Sequence, residues 1–272
     1  MELWRRNIPV LVDPTFGPDF STSLYETIQN RVASPMQVLD CADNDGLDTT
    51  FLKVEKHSGD AKIFGPENLI GYRESVRGLP RSGTDIRQSV SDVATALTHL
   101  ARFKQILELR HEASQDQPPF SVLLHPKGLP PGTVHVQDDQ EFRFQFKIQS
   151  QDELYITVIN LGPGFHIKQL FPGQDSPEKL HPGLQRSFSI RMEIPEQLRI
   201  EGAVVSGITH REIIRIVVTK GGELSWKSLD MPVIWHANPI EFKGETSPGR
   251  CASLVSELEW WIQDVEIWIN PT

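Results

Sequence analysis

Residues 141–161, EFRFQFKIQSQDELYITVINL, decide how the chain is read. Phe142, Phe144, Phe146 and Ile148 alternate with Arg143, Gln145 and Lys147, the period of two expected of a strand with one dry face and one wet face. Gln149 to Glu153 is a polar break, after which Leu154, Ile156 and Val158 alternate with Tyr155, Thr157 and Ile159. β-Branched and aromatic residues of this kind suit a pleated surface. Two such runs joined by a few polar residues predict a β-hairpin, with the rest of the second half covering its apolar side.

Downstream, the β pattern continues. Gly162-Pro163-Gly164 marks a turn, and 165–173 forms a short strand running into another turn. Phe188, Ile190, Met192 and Ile194 alternate until Pro195. Glu212 to Thr219, EIIRIVVT, is nearly continuous in apolar residues, as strands buried on both faces are. In the closing run, WWIQDVEIWI from Trp260 to Ile269, Trp261, Gln263, Val265, Ile267 and Ile269 share one side. Upstream, Ser121 to His125 reads as a strand, followed by the Pro/Gly loop 126–132. Roughly seven or eight short strands with frequent turns predict an immunoglobulin-like antiparallel β-sandwich over 119–272.

The first 118 residues read differently. Ile8 to Val12 is a buried strand stopped by Asp13-Pro14, and residues 15–20 are loop. Ser21 or Thr22 caps a helix carrying Leu24, Tyr25, Ile28 and Val32. Met36–Leu39, Thr50–Glu55 and Ala61–Phe64 are strands, the first two separated by the acidic turn 40–48. A long amphipathic helix starts at about Asp85 or Ser89 and runs to Arg110, about 89–110: Val90, Val93, Ala94, Leu97, Leu100, Ala101, Ile106 and Leu107 recur mostly at spacings of three and four. Ser89 or Ser91 caps it, and Pro118-Pro119 cannot continue a helix, which places the boundary at 112–119. The fold class is therefore α+β: a small α/β subdomain with its helix in 1–118, then the sandwich in 119–272.

Composition narrows the function. The 272 residues are 38 % hydrophobic and 23 % charged, with 20 prolines and 19 glycines, as in a turn-rich globular protein. The formal net charge of -9, without any basic cluster, argues against nucleic acid as a partner. Cys41 and Cys251 lie far apart and form neither a disulfide framework nor metal spacing. The start, MELWRRNIPVLV, lacks the apolar run of a signal peptide, and nothing reaches the 18 or so apolar residues of a membrane span. A cytoplasmic protein with no membrane partner is expected.

Three stretches taken together are similar to a known family: HLARFKQILELRH (99–111), ELYITVINLGPGFHIKQLFPG (153–173) and REIIRIVVT (211–219). They resemble the non-catalytic region that follows the protease domain in fungal caspase-like proteins of the metacaspase type. There an amphipathic helix precedes a β domain with an L-Y-[IV]-T-V-[FI]-N-L-G-P hairpin, an L-[FY]-P turn and an L-x-[LM]-P turn. The last of these is matched here by Leu229-Asp230-Met231-Pro232. The resemblance covers about 85–269 and implies a non-enzymatic regulatory or protein-interaction module. It also implies a protein partner, a caspase-like protease domain being the natural candidate.

The residues for protease chemistry do not line up. Met36 to Gly46, MQVLDCADNDG, resembles the metacaspase nucleophile stretch L-D-[SC]-C-H-S-G, but aligned on Leu39-Asp40 the nucleophile position is Ala42, followed by Asp43 where a histidine belongs. Asp43, Asp45 and Asp48 set negative charge beside the Cys41 thiol, which disfavours the thiolate a nucleophile needs. A cysteine hydrolase using Cys41 with His57 or His99 is the alternative from another class. The acidic turn fails as an EF-hand, because Gly46 at the glycine position puts Cys41 first and Leu52 last. The nine histidines never approach H-x-x-x-H spacing, and no G-x-S-x-G or phosphate loop is present. Trp226, Trp235, Trp260, Trp261 and Trp268 raise a third possibility, a sugar- or ligand-binding sandwich, although indoles usually anchor cores. No catalytic residue, metal ligand or cofactor is assigned.

Overall fold

The structure is a computed structural model that describes residues 8–29, 36–40, 52–58, 60–65, 75–76, 86–109, 118–125, 133–173, 177–200, 209–223, 226, 229–237 and 259–271. Two compact units emerge, Glu2–Glu108 with Pro232–Glu245, and Leu109–Met231 with Thr246–Thr272. The sequence places the division near 118 and leaves 232–245 in the second half. Ile234-Trp235, held in a single 3-10 turn after Pro232, carries no periodicity that would have shown which unit it joins.

In the first unit, β1 (Ile8–Val12) lies between β2 (Met36–Asp40) and β3 (Leu52–His57), parallel to both, and β4 (Asp60–Phe64) closes the edge antiparallel to β3. Parallel neighbours need a crossover, which α1 (Pro18–Gln29) supplies between β1 and β2. α1 starts at Pro18, earlier than the expected caps Ser21 and Thr22, because a proline ring is already set for the first helical position. Its Phe20, Leu24 and Ile28 are buried, and Val32 lies outside the described residues. Val10 and Leu11, on opposite sides of β1, are both buried, as expected of the middle strand of a covered sheet. α2 (Ile86–Leu107) packs against α1. It begins before Ser89, so that serine is an interior residue and not the expected cap. Beyond the expected stripe, His99, Phe103 and Lys104 are also buried, so far more than one face is covered. Thr95 and Thr98 satisfy their hydroxyls on the carbonyls of Ser91 and Ala94, at 2.8 and 2.7 Å. Among the described residues, no helix is long and apolar enough to cross a membrane.

The second unit is a sandwich of two sheets. The smaller has the order β11 (Gln185–Arg191), β7 (Glu141–Ile148), β5 (Phe120–His125), all antiparallel. The larger has the order β10 (Glu178–Leu180), β8 (Leu154–Leu161), β12 (His210–Lys220), β13 (Glu259–Asn270), β6 (Thr133–Gln137), and β9 (Ile167–Phe171) shares the outer edge of β8 with β10. Phe142, Phe144 and Phe146 point inward and are fully buried, each worth about 1.5–3 kcal/mol over an exposed ring. Phe188 of the small sheet stacks on Phe144 and Phe146, and also on Phe171 of the large one, with centroids 5.1, 5.5 and 5.4 Å apart. This aromatic stack joins the two layers. β12 is buried on both faces, as its apolar run predicts.

Two expectations are corrected. β7 and β8 do not form a hairpin: they lie in different sheets, and the partner of β8 by a tight turn is β9, across Gly162-Pro163-Gly164. The intervening break folds back onto the start of β5, where the amides of Gln149 and Ser150 both donate to the Pro119 carbonyl, at 2.9 and 3.1 Å. Hairpin partners share one solvent face, yet β7 alternates in burial while β8 is buried from Ile156 to Leu161. Nor is the sandwich purely antiparallel, because β6 runs parallel to the closing strand β13, with Val134 opposite Ile267 and Val136 opposite Ile269. The chain leaves β5 in one sheet and enters β6 in the other. β6, β10 and the short helix α3 (Glu196–Ile200) have no counterpart in the sequence-based reading.

Candidate interaction surface

The groups that would carry catalysis do not gather among the described residues. Cys41 and Cys251 lie outside them, so the thiol half of the hydrolase alternative is outside the description. Of its two histidines, His57 is exposed at the end of β3, whereas His99 is fully buried inside α2, where no substrate proton is within reach. His135, His181 and His236 are exposed at separate places, and His181 pairs with Glu153 at 3.1 Å. Burial, with Lys168 nearby, pushes His166 down to about 4, so its imidazole is neutral at physiological pH. Among the described residues no group of three or more His, Cys, Asp or Glu is placed to hold a metal ion. Of the acidic turn, only Asp40, the last residue of β2, falls within the described residues. Trp226 and Trp260 are buried, which removes them as sugar platforms, and Trp235, Trp261 and Trp268 are half-buried.

Two buried polar pairs belong to the large sheet. On the inward face, the Asn160 amide of β8 donates to the Glu212 carboxyl of β12. Glu212 is 4 % exposed, and burial pushes its carboxyl up to about 7, against the lowering influence of that hydrogen bond. Asn160 Oδ1 accepts no hydrogen bond among the described residues. On the other face, fully buried Arg215 holds Asp264 of β13 through two parallel bonds of 2.7 and 2.8 Å. The Asn160–Glu212 pair is enclosed, and the second pair has a buried guanidinium with a half-buried carboxylate.

The small sheet offers an accessible surface. Residues in register share a face. Its outward side is formed by Ser121 and Leu123 of β5, by Glu141, Arg143, Gln145 and Lys147 of β7, and by Gln185, Ser187, Ser189 and Arg191 of β11. Among the described residues, only Tyr25 and Leu123 are large hydrophobics with wide exposure, and Leu123 is 51 % exposed. It stands opposite Gln145, with Ser121 opposite Lys147 one rung to one side and Arg143 one rung to the other. Three cations and one carboxylate give this face +2 in a chain of -9. Arg191 is paired with Asp139 at 3.4 Å, and Arg143 donates to the Ser187 hydroxyl at 2.9 Å. Lys147 has no ion-pair partner among the described residues.

The edges differ too. β11 presents Arg186 and Arg191, and Arg186 also forms an ion pair with Glu178 at 2.6 Å, the kind of charge that blunts an edge. β5 is terminal in its sheet, and from Ser121 to Leu124 it has no charge and no fully buried residue. The sequence signals β5 as a strand but not as an edge, because FSVLLH reads equally well as a covered strand.

The fold is that of a β-rich, two-unit α+β protein in which, among the described strands, the terminal strands β5 and β6 carry no Asp, Glu, Lys or Arg, and only β5 bears a widely exposed leucine. No family model and no curated protein matches the chain. Among solved structures, the chain is similar at 8% identity to the ASH / PapD-like domain of human CEP192 (PapD-like domain 7), over 61% of this chain and 96% of that one, with a TM-score of 0.26. A likeness at that level carries no argument.

Proposed function

We propose that the chain is a non-enzymatic protein-interaction module of the kind its resemblance to the accessory region of fungal caspase-like proteins implies, and that its second unit is an immunoglobulin-like sandwich. The strand plan supports the latter. β5, β7 and β11 take the places of strands A, B and E; β8, β12 and β13 take those of C, F and G; and β6 continues A into the opposite sheet. The observation that carries the functional reading is the β5 edge, unpaired among the described strands, uncharged, and marked by an exposed leucine. Such an edge recognises an extended segment by adding it as a further strand, main chain to main chain. A caspase-like protease domain, in the cytoplasm, is the partner the resemblance favours.

Binding of a purified caspase-like protease domain, measured by calorimetry, tests this. Binding that is lost in Leu123→Asp, with the circular dichroism spectrum unchanged, is the expected result. Hydrolysis of a peptide substrate by the chain alone, with a thiol probe labelling Cys41 only when His57 or His99 is intact, would replace this reading with the hydrolase.

A further inference from the structure

The cations of the small sheet lie where a strand added to β5 would place its side chains. An added strand continues the pleat, so its alternate residues fall opposite Ser121, Leu123 and residue 125 on the outward face. The residue opposite Leu123 meets an apolar side chain. The one opposite Ser121 looks across a short side chain to Lys147, two strands away, or about 9.5 Å at the usual spacing. A lysine and a glutamate side chain together span that gap. The residue on the other side of the leucine contact is in register with Arg143, with position 125, a histidine, between them.

We propose that the β5 edge takes an extended acidic–apolar–acidic segment of a partner protein, in which an apolar residue is flanked at two positions on either side by a carboxylate. This rests on the reading of β5 as the docking edge and adds the chemistry of what docks there. Charge complementarity selects this occupant. A second copy of the chain, paired edge to edge, would bring two faces of +2 side by side and repel. A neutral or basic strand forms the same main-chain bonds without the two ion pairs.

The test uses the full chain and a labelled decapeptide with glutamate, leucine and glutamate at alternate positions and threonine elsewhere. Two companion peptides carry glutamine or lysine in place of both glutamates. Fluorescence anisotropy gives the affinity, and amide chemical shifts of 120–125 give the location. The glutamate peptide is expected to bind about tenfold or more tighter than the lysine peptide, a gap that narrows with added salt. The double variant Arg143→Glu with Lys147→Glu is expected to reverse that order while its melting temperature stays near the parent's. If all three peptides bind alike and shift the β5 amides, the acidic specificity is wrong and the docking edge stands. If none shifts those amides, the edge itself is wrong. If they move on dilution without any peptide, the edge belongs to a second copy and the proposal is overturned.

Discussion

Arg215 and Asp264 face each other across β12 and β13 as a two-bond pair, with the guanidinium wholly out of solvent and the carboxylate at its margin. Removing one partner of a buried ion pair usually costs about 3–5 kcal/mol, because less remains to offset the burial of the other charge. Asp264→Ala is therefore expected to lower the urea midpoint strongly. The double change Arg215→Met with Asp264→Leu should recover much of the loss, because no buried charge then remains. A single variant as stable as the parent would show that the pair carries no such burden.

Glu212 predicts an unusual pH dependence. Its carboxyl titrates near 7 in the folded chain, against 4.5 as its ordinary value. Between those values the folded state holds the proton and the unfolded state does not, so this group's contribution to stability falls as pH rises from 4.5 through 7. The full difference is about 3 kcal/mol at 1.36 kcal/mol per pH unit. Glu212→Gln keeps an acceptor for Asn160 and adds a donor for its Oδ1. It is expected to be more stable than the parent at pH 8 and close to it at pH 4.5, by denaturant titration at the two values.

His166 runs in the opposite sense. Its folded-state value near 4 lies below the ordinary 6.5, so the stability tied to its neutral form is present above 6.5 and is lost as pH falls toward 4. Replacing it with Phe should remove that acid-side loss, read as a smaller drop in melting temperature between pH 7 and pH 4.5.

The turn before β9 leaves no room at Gly162. A Cβ there would overlap the His166 imidazole, while the Gly162 amide donates to the His166 carbonyl at 3.1 Å and the Phe165 amide to the Gly162 carbonyl at 2.9 Å. Gly162→Ala must move the ring or break the turn, and a loss of about 1–3 kcal/mol is expected. His166→Ala should restore part of it in the double variant.

The aromatic stack makes a further prediction. Phe188, itself half-buried, touches three rings from both layers, so Phe188→Ala should destabilise by about 2–3 kcal/mol, less than for a fully buried ring. Phe188→Leu should recover more than half of this by filling most of the volume, as measured by urea unfolding.

How much of this was legible varies by element. β12 declared itself, since EIIRIVVT has no wet side and only a doubly covered strand tolerates that. The long helix was legible from its stripe, and His99 from its place beside it, but not the burial of Lys104, because a lysine inside a helix looks like a solvated face until packing covers it. β7 and β8 were found as strands and joined wrongly, since proximity in sequence favours a hairpin and the bond from Gln149 to Pro119 is set by tertiary structure. β6, TVHVQ, has only Val134 and Val136 to signal a strand, and its parallel partner is more than 120 residues away. At the candidate surface, the alternation of β7 revealed its cations as the wet side. That β5 is an edge depends on where the chain goes next, which no local pattern records.

The account rests on β5 being an open edge in the free protein, and amide hydrogen exchange of Ser121 to Leu124 tests this most directly. Amides bonded to β7 should exchange slowly, and the intervening ones, which point away from the sheet, should exchange near the rate of an unstructured chain. Uniform slow exchange along the strand would mean that its far side is already occupied, and the proposed docking edge would be ruled out.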